Sequence, residues 1–229
     1  MTLSVGTILP DFEARSNKGT FRFSDWLGGR WALVLAFRSM SPTCSTEFVE
    51  LDRLHPEFER CGARILCVSV DPDEMVTAWL DDIREMFGAS PSFTLINDPN
   101  GPIPETLGLL DPNTPQRSLV RGAYLVSPEQ RIVMSIAYPV TNGRSFVEIL
   151  RTLKAIQLTT EARVATSSTW TDGQPVMLPP SLSQEQADAM YPAGVQVLRP
   201  YLRLVAQPGT DLAAQPVAHA ALRPHPESN

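Results

Sequence analysis

WALVLAFRSMSPTCSTEFVELDRLHPEFERCGARILCVSV, residues 31 to 70, decides the fold. Trp31 to Phe37 is a short, continuously apolar run, the pattern of a strand buried on both faces. Ser41-Pro42 then reads as the N-cap and first residue of a helix. Phe48, Leu51, Leu54 and Phe58 follow at helical spacing and mark its buried stripe. Gly62 is placed to end the helix as a C-terminal cap, and Arg64 to Val70 is a second buried strand, closed by Asp71-Pro72.

Working outward, Glu74 to Phe87 reads as a second helix with Met75, Trp79 and Ile83 on one side. Ser92 to Ile96 is a third strand, and Pro104 to Leu110 a short helix before the loop DPNTPQRS. Val120 to Val126 and Arg131 to Tyr138 are strands joined by Ser127-Pro-Glu-Gln130, a hairpin connection. Gly143 to Leu158 forms an amphipathic helix through Phe146, Ile149, Leu150, Leu153 and Ile156. Strands alternating with helices, then a hairpin and a helix, predict an α/β sheet covered on both faces. Composition shifts after residue 159: turns and prolines surround one short helix near Ser183 to Met190, too thin to build a core alone. From Gln207 the chain is rich in Pro and Ala without periodicity and is expected to be mobile. The predicted division is residues 1–158, 159–206 and 207–229.

The 229 residues carry a net charge of −6, which argues against a nucleic-acid surface. No apolar run reaches the roughly 18 residues of a membrane span, and MTLSVGTILPDFEARS lacks the features of a signal peptide. A cytoplasmic protein without a membrane partner is expected. Cys44, Cys61 and Cys67 form no C-x-x-C pair, and His55, His219 and His225 are scattered. Neither a disulfide framework, a metal centre nor another cofactor is expected.

Cys44 stands apart from the other two cysteines. With Ser41 as N-cap it occupies the third helical position, near unpaired backbone N–H groups and the positive end of the helix dipole. Both favour thiolate over thiol; Thr43, Ser45 and Thr46 add hydroxyls, and Arg38 offers a cation. Local chemistry alone leaves an inert buried cysteine equally open. His55 lies too far along the same helix to act as a base for a cysteine hydrolase, and position 47 is Glu rather than a second cysteine. What remains is a thiolate attacking an electrophile with its own good leaving group, such as a peroxide. Arg121, in a strand almost free of charge, either points into solvent or aims its guanidinium at that thiolate. Glu47 either orients such an arginine or is an ordinary acid of a first helical turn.

The segments Val5 to Ala14, Ser41-Pro-Thr-Cys-Ser-Thr-Glu47, Cys67-Val-Ser-Val-Asp-Pro72 and AYPVTNGRSFVEILR resemble the one-cysteine peroxiredoxins. QLTTEARVATSSTWTDGQPVMLPP and PYLRL are similar to the C-terminal extension of the peroxiredoxin-six subfamily, so the likeness runs from about Val5 to Leu204. It implies a thioredoxin-like fold with a small C-terminal extension, a homodimer using that arm, and reduction of hydroperoxides with an external thiol or other reductant. It implies Cys44 as the peroxidatic nucleophile, Arg121 and Ser41 as peroxide-positioning groups, Glu47 and Arg144 as their support, and Pro42 and Thr43 as pocket residues. The departure is Phe37, which holds the place of the motif's proline, frees a backbone N–H and enlarges the side chain at the pocket. That departure keeps a second reading in view, a weakly active redox sensor, holdase or scaffold. Some subfamily members are credited with a phospholipase activity using serine, histidine and aspartate. Their positions are Arg30, Ser24 and Glu129 here, so no such activity is expected. Cys61 and Cys67 match no resolving position and read as packing residues.

Overall fold

The computed structural model describes residues 2–113 and 118–209. In chain order they form strands β1 (Glu13–Ser16) and β2 (Gly19–Arg22), helix α1 (Phe23–Leu27), β3 (Trp31–Ala36), α2 (Pro42–Arg60), β4 (Ala63–Ser69), α3 (Asp73–Phe87) and β5 (Thr94–Asn97). There follow α4 (Ile103–Thr106), β6 (Arg121–Val126), β7 (Ile132–Tyr138), α5 (Phe146–Ala162), β8 (Val176–Met177), α6 (Gln184–Met190), β9 (Gln196–Arg199) and β10 (Leu202–Val205). These residues group into two compact units that divide after Val147. The tail expected to be mobile lies outside the described residues from position 210, as do positions 114–117 of the DPNTPQRS loop.

The first unit is built on a five-stranded sheet of order β5-β4-β3-β6-β7. The β3 strand lies at its centre, parallel to β4 and antiparallel to β6. That position explains the unbroken apolar run, because both faces of β3 are covered and its residues from Ala32 to Ala36 are buried. Period-two alternation sorts the side chains. Ala32, Val34 and Ala36 join Leu66, Val68, Tyr124 and Val126 in one cluster with Phe23, Leu27 and Ile132. On the opposite face Phe37, Phe48 and Trp79 form an aromatic group with centroids 4.7–5.7 Å apart, and Phe93 meets Phe48 edge-on at 5.2 Å. Each such side chain contributes roughly 1.5–3 kcal/mol when fully buried.

Several expectations shift. Met75 is 43% exposed, and the buried side of α3 is Val76, Trp79 and Ile83. Spacings of three and four hold one helical face, whereas repeated fours drift off it. The predicted helix Pro104–Leu110 shrinks to α4, and Gly108 takes a left-handed φ of +63° just past it. The β1–β2 hairpin was not anticipated, because its strands are short and mostly exposed and so carry little alternation.

In the second unit the segment beyond residue 159 holds more structure than expected. The β8, β9 and β10 strands pair as a small antiparallel sheet with β10 in the middle. Trp170, 1% exposed, anchors a core with Ala155, Val164, Val176, Leu178, Ala187 and Val205. The last turns of α5 supply what the segment lacks alone. A capping box starts α6: Gln186 N–H donates to Ser183 Oγ at 3.1 Å, and Ser183 N–H to Gln186 Oε1 at 3.0 Å. Among the described residues no helix is long and apolar enough to cross a membrane.

Candidate active site

Ser41 adopts extended backbone angles and caps α2, with Pro42 as the first helical residue. Its hydroxyl accepts from the Cys44 N–H at 3.4 Å, and its carbonyl accepts from the Ser45 N–H at 2.9 Å. The Cys44 side chain is turned inward and 2% exposed. Two donors converge on its sulfur: the Arg38 backbone N–H at 3.4 Å and the Arg121 guanidinium at 3.3 Å. The predicted Arg38 cation is therefore corrected, because that side chain is exposed and the residue approaches through its main chain.

Arg121 does not point from an edge strand into solvent. It begins β6, an interior strand, and is 7% exposed. The same guanidinium donates to Glu47 Oε2 at 2.7 Å and to the Val140 carbonyl at 2.9 Å. Glu47, one turn after Cys44, is 3% exposed and also receives the Arg144 N–H at 2.7 Å, Nε at 3.1 Å and a guanidinium nitrogen at 2.8 Å. Arg144 spends its remaining donors on the carbonyls of Gly122 and Ala36, at 2.7 and 2.9 Å. Cys44, Glu47, Arg121 and Arg144 are thus gathered into one buried cluster spanning α2, β6 and the approach to α5.

Phe37 is 2% exposed, its ring inside the aromatic group. Its backbone N–H, which a proline would lack, donates to the Val68 carbonyl at 3.0 Å and extends the β3–β4 ladder. Phe37, Ser41, Pro42 and Thr43 border a cavity of about 690 Å³ that reaches Cys44 and Arg121. Apolar wall is added by Met40, Met75, Leu119 and Val140.

Asp71, Ser39 and Ser69 were not singled out from sequence. Asp71 is 8% exposed, and one of its oxygens accepts from the Ser39 N–H at 2.7 Å, Ser39 Oγ at 2.8 Å and Ser69 Oγ at 3.0 Å. It ties the loop before α2 to the end of β4. Met40 in that loop holds a left-handed φ of +54°, which a non-glycine residue keeps only where its surroundings fix it. The Asp-Pro pair after β4 was the available signal, but it reads as a strand end.

Cys67 lies in β4, 0% exposed, and burial pushes its thiol well above the ordinary range. Cys61 is half-buried at the end of α2.

Comparison with known proteins bears on the chain as a whole. Residues 5–135 match the AhpC/TSA family, and residues 155–194 match the C-terminal domain of 1-Cys peroxiredoxin. The chain is 36% identical to peroxiredoxin-6 of Pongo abelii, across 90% of this chain and 98% of that protein. It is 33% identical to the 1-Cys peroxiredoxin of Dictyostelium discoideum, over 90% and 86% of the two chains. The crystal structure of a C45S mutant of peroxiredoxin 6 from Arenicola marina superposes with a TM-score of 0.83 at 30% identity, covering 91% of this chain and all of that one. A yeast mitochondrial 1-Cys peroxiredoxin superposes at 0.81 with 28% identity, covering 90% of this chain and all of that one. The chain belongs to the one-cysteine peroxiredoxins, with a thioredoxin-like fold and a C-terminal extension, and is a thiol peroxidase.

Proposed function

We propose that Cys44 is the peroxidatic nucleophile, Arg121 and Ser41 position the peroxide, and Glu47 with Arg144 holds Arg121 in place. The observation that carries this is charge. Among the described residues Arg121 and Arg144 are buried with Glu47 as their one carboxylate partner, which leaves one positive charge uncompensated beside Cys44 Sγ. An uncompensated buried charge is costly, and an anionic sulfur cancels it. The thiolate attacks one peroxide oxygen and the O–O bond breaks. The leaving oxygen takes a proton to become water or an alcohol, and Cys44 becomes a sulfenic acid. The Phe37 departure from the family motif costs this chemistry little, since the freed N–H bonds Val68 and the ring packs in the core. That supports the peroxidase over a sensor, holdase or scaffold.

In the yeast mitochondrial 1-Cys peroxiredoxin, thiol resolution proceeds via glutathione and thioredoxin systems. By analogy an external thiol condenses with the sulfenic acid here, expelling water, and a second thiol releases Cys44. The protein acts in the cytoplasm as a homodimer, with residues 1–158 as the peroxidase domain and 159–206 as the arm used in dimerisation. Stopped-flow fluorescence on mixing with hydrogen peroxide tests the site. A fast change lost in Cys44→Ser, with one oxygen on Cys44 by mass spectrometry, is expected. A rate no faster than a free thiol's sinks the assignment.

A further inference from the structure

A second cavity, of about 610 Å³, lies in the first unit and shares no lining residue with the one at Cys44. Its size suits a small molecule. Its walls include the aromatic rings of Phe21, Trp26 and Phe93. The Trp26 ring is fixed: its Nε1–H donates to Thr94 Oγ1 at 3.1 Å, and Phe21 lies against it at 5.8 Å between centroids. His55 stands edge-on to Phe93 at 5.8 Å, with Ser92 Oγ 3.3 Å from its Nδ1.

The charges lining this cavity do not balance. Among the described residues Lys18, Arg30 and Arg64 border it, and Glu59 is the one carboxylate that does. Glu59 lies 3.8 Å from His55 Nε2. Among the described residues no carboxylate pairs with Lys18, Arg30 or Arg64, in a chain whose net charge is −6. The Arg64 guanidinium sits over the Trp26 ring, 5.7 Å from its centroid, and donates to the Trp26 carbonyl. Burial, and then the charge of Arg30, hold the Arg64 pKa below its ordinary value. Like charges held together without a counterion create a field that an anion relieves.

We propose that this cavity binds an aromatic phosphate monoester, a planar ring carrying one phosphate group. The rings of Phe21, Trp26 and Phe93 give the planar part an apolar, stackable wall. Arginine is the side chain suited to phosphate oxygens, through paired N–H donors. Three cations against Glu59 leave two charges unmatched, and a phosphate monoester carries about −1.5 to −2 at neutral pH. The inference is independent of the roles proposed around Cys44.

The test is an NMR titration of the full chain, reading the indole N–H resonance of Trp26, assigned with Trp26→Phe. Phenyl phosphate is the probe, with phenol and inorganic phosphate as its separated halves. Phenyl phosphate is expected to move the Trp26 signal saturably, and each half to bind at least about tenfold more weakly. Arg30→Ala, at an exposed position where folding is not at stake, is expected to weaken the probe about tenfold, the usual effect of losing a hydrogen bond to a charged group. No saturable shift, an unchanged affinity in Arg30→Ala, or inorganic phosphate binding as tightly as the ester (an adventitious ion only) would each overturn the proposal.

Discussion

Cys44 and Cys67 belong to the same unit and are almost equally hidden from solvent, at 2% and 0% exposure. Their sulfurs nevertheless meet opposite surroundings. Cys67 sits mid-strand opposite Leu35, where the main-chain donors are taken by the ladder and burial outweighs the nearby charge of Arg144. Cys44 sits in the first turn of α2, where the helix leaves N–H groups unpaired, and two further donors reach its sulfur from Arg38 and Arg121. Burial that prevails makes a thiol inert, whereas donors and a cation directed at a sulfur are the surroundings that the proposed role of Cys44 requires.

The sharpest way to break this contrast is to remove the sulfur. Cys44→Ser is expected to lower the rate of peroxide reduction by more than about 10⁴-fold, the scale of losing a nucleophile. Any residual rate above that of the serine variant's buffer control would transfer the chemistry to another residue. Next comes the carboxylate that shares out the arginines. Glu47→Gln keeps the shape but removes the carboxylate that both buried guanidinium groups share, and is expected to cost about 4 kcal/mol of stability. Urea unfolding reads it directly, and an unchanged midpoint would mean the cluster is less tightly coupled than its distances indicate.

Restoring the family's proline is expected to harm this chain. Phe37→Pro removes the N–H that bonds Val68 and empties part of the Phe48–Trp79 group, for about 3 kcal/mol. A more stable and faster enzyme would show instead that Phe37 is an unrepaired defect. Asp71→Asn is milder. It keeps one acceptor but loses the charge that draws in Ser39 and Ser69, and the loop carrying the Arg38 N–H loosens. The peroxide rate constant is expected to fall about tenfold, since small misplacements of catalytic groups weigh heavily. A fall in thermal stability with an unchanged rate constant would confine Asp71 to a structural role.

How much of this was legible in the sequence depended on the range of the cause. The β3–α2–β4 unit was readable because double burial writes an apolar run, and the Ser41-Pro42 cap is a local signal. Ser41 and Cys44 were therefore placed from their neighbours alone. Arg121 was ambiguous, because a lone arginine in a strand reads as solvent-facing until β6 is known to lie between β3 and β7. Its pairing with Glu47 crosses 74 residues, and that of Arg144 crosses 97. The first was one of two open readings of the residues themselves, whereas the second came only from the likeness to relatives. The Arg38 N–H and the carbonyls of Ala36, Gly122 and Val140 have no letter in a sequence, since every residue carries the same main chain. The Trp170 core was missed because α5 supplies part of it from outside the segment that looked too thin.

The smallest expected effect closes the comparison. Cys67→Ala is expected to leave the peroxide rate constant within about twofold and to cost about 1 kcal/mol for the small cavity it opens. The sign of its reactivity follows from the direction of its pKa. Burial raises the thiol, so the reactive thiolate is scarce at neutral pH and becomes available only well above the pH at which an ordinary cysteine ionises. Iodoacetamide at about pH 8 is thus expected to label Cys44 in the folded enzyme and to spare Cys67 until the chain is unfolded, as read by peptide mass spectrometry. Equal labelling of the two in the native state would mean that donors and charge around Cys44 matter less than access, and the contrast between the two cysteines would have to be rebuilt on exposure alone.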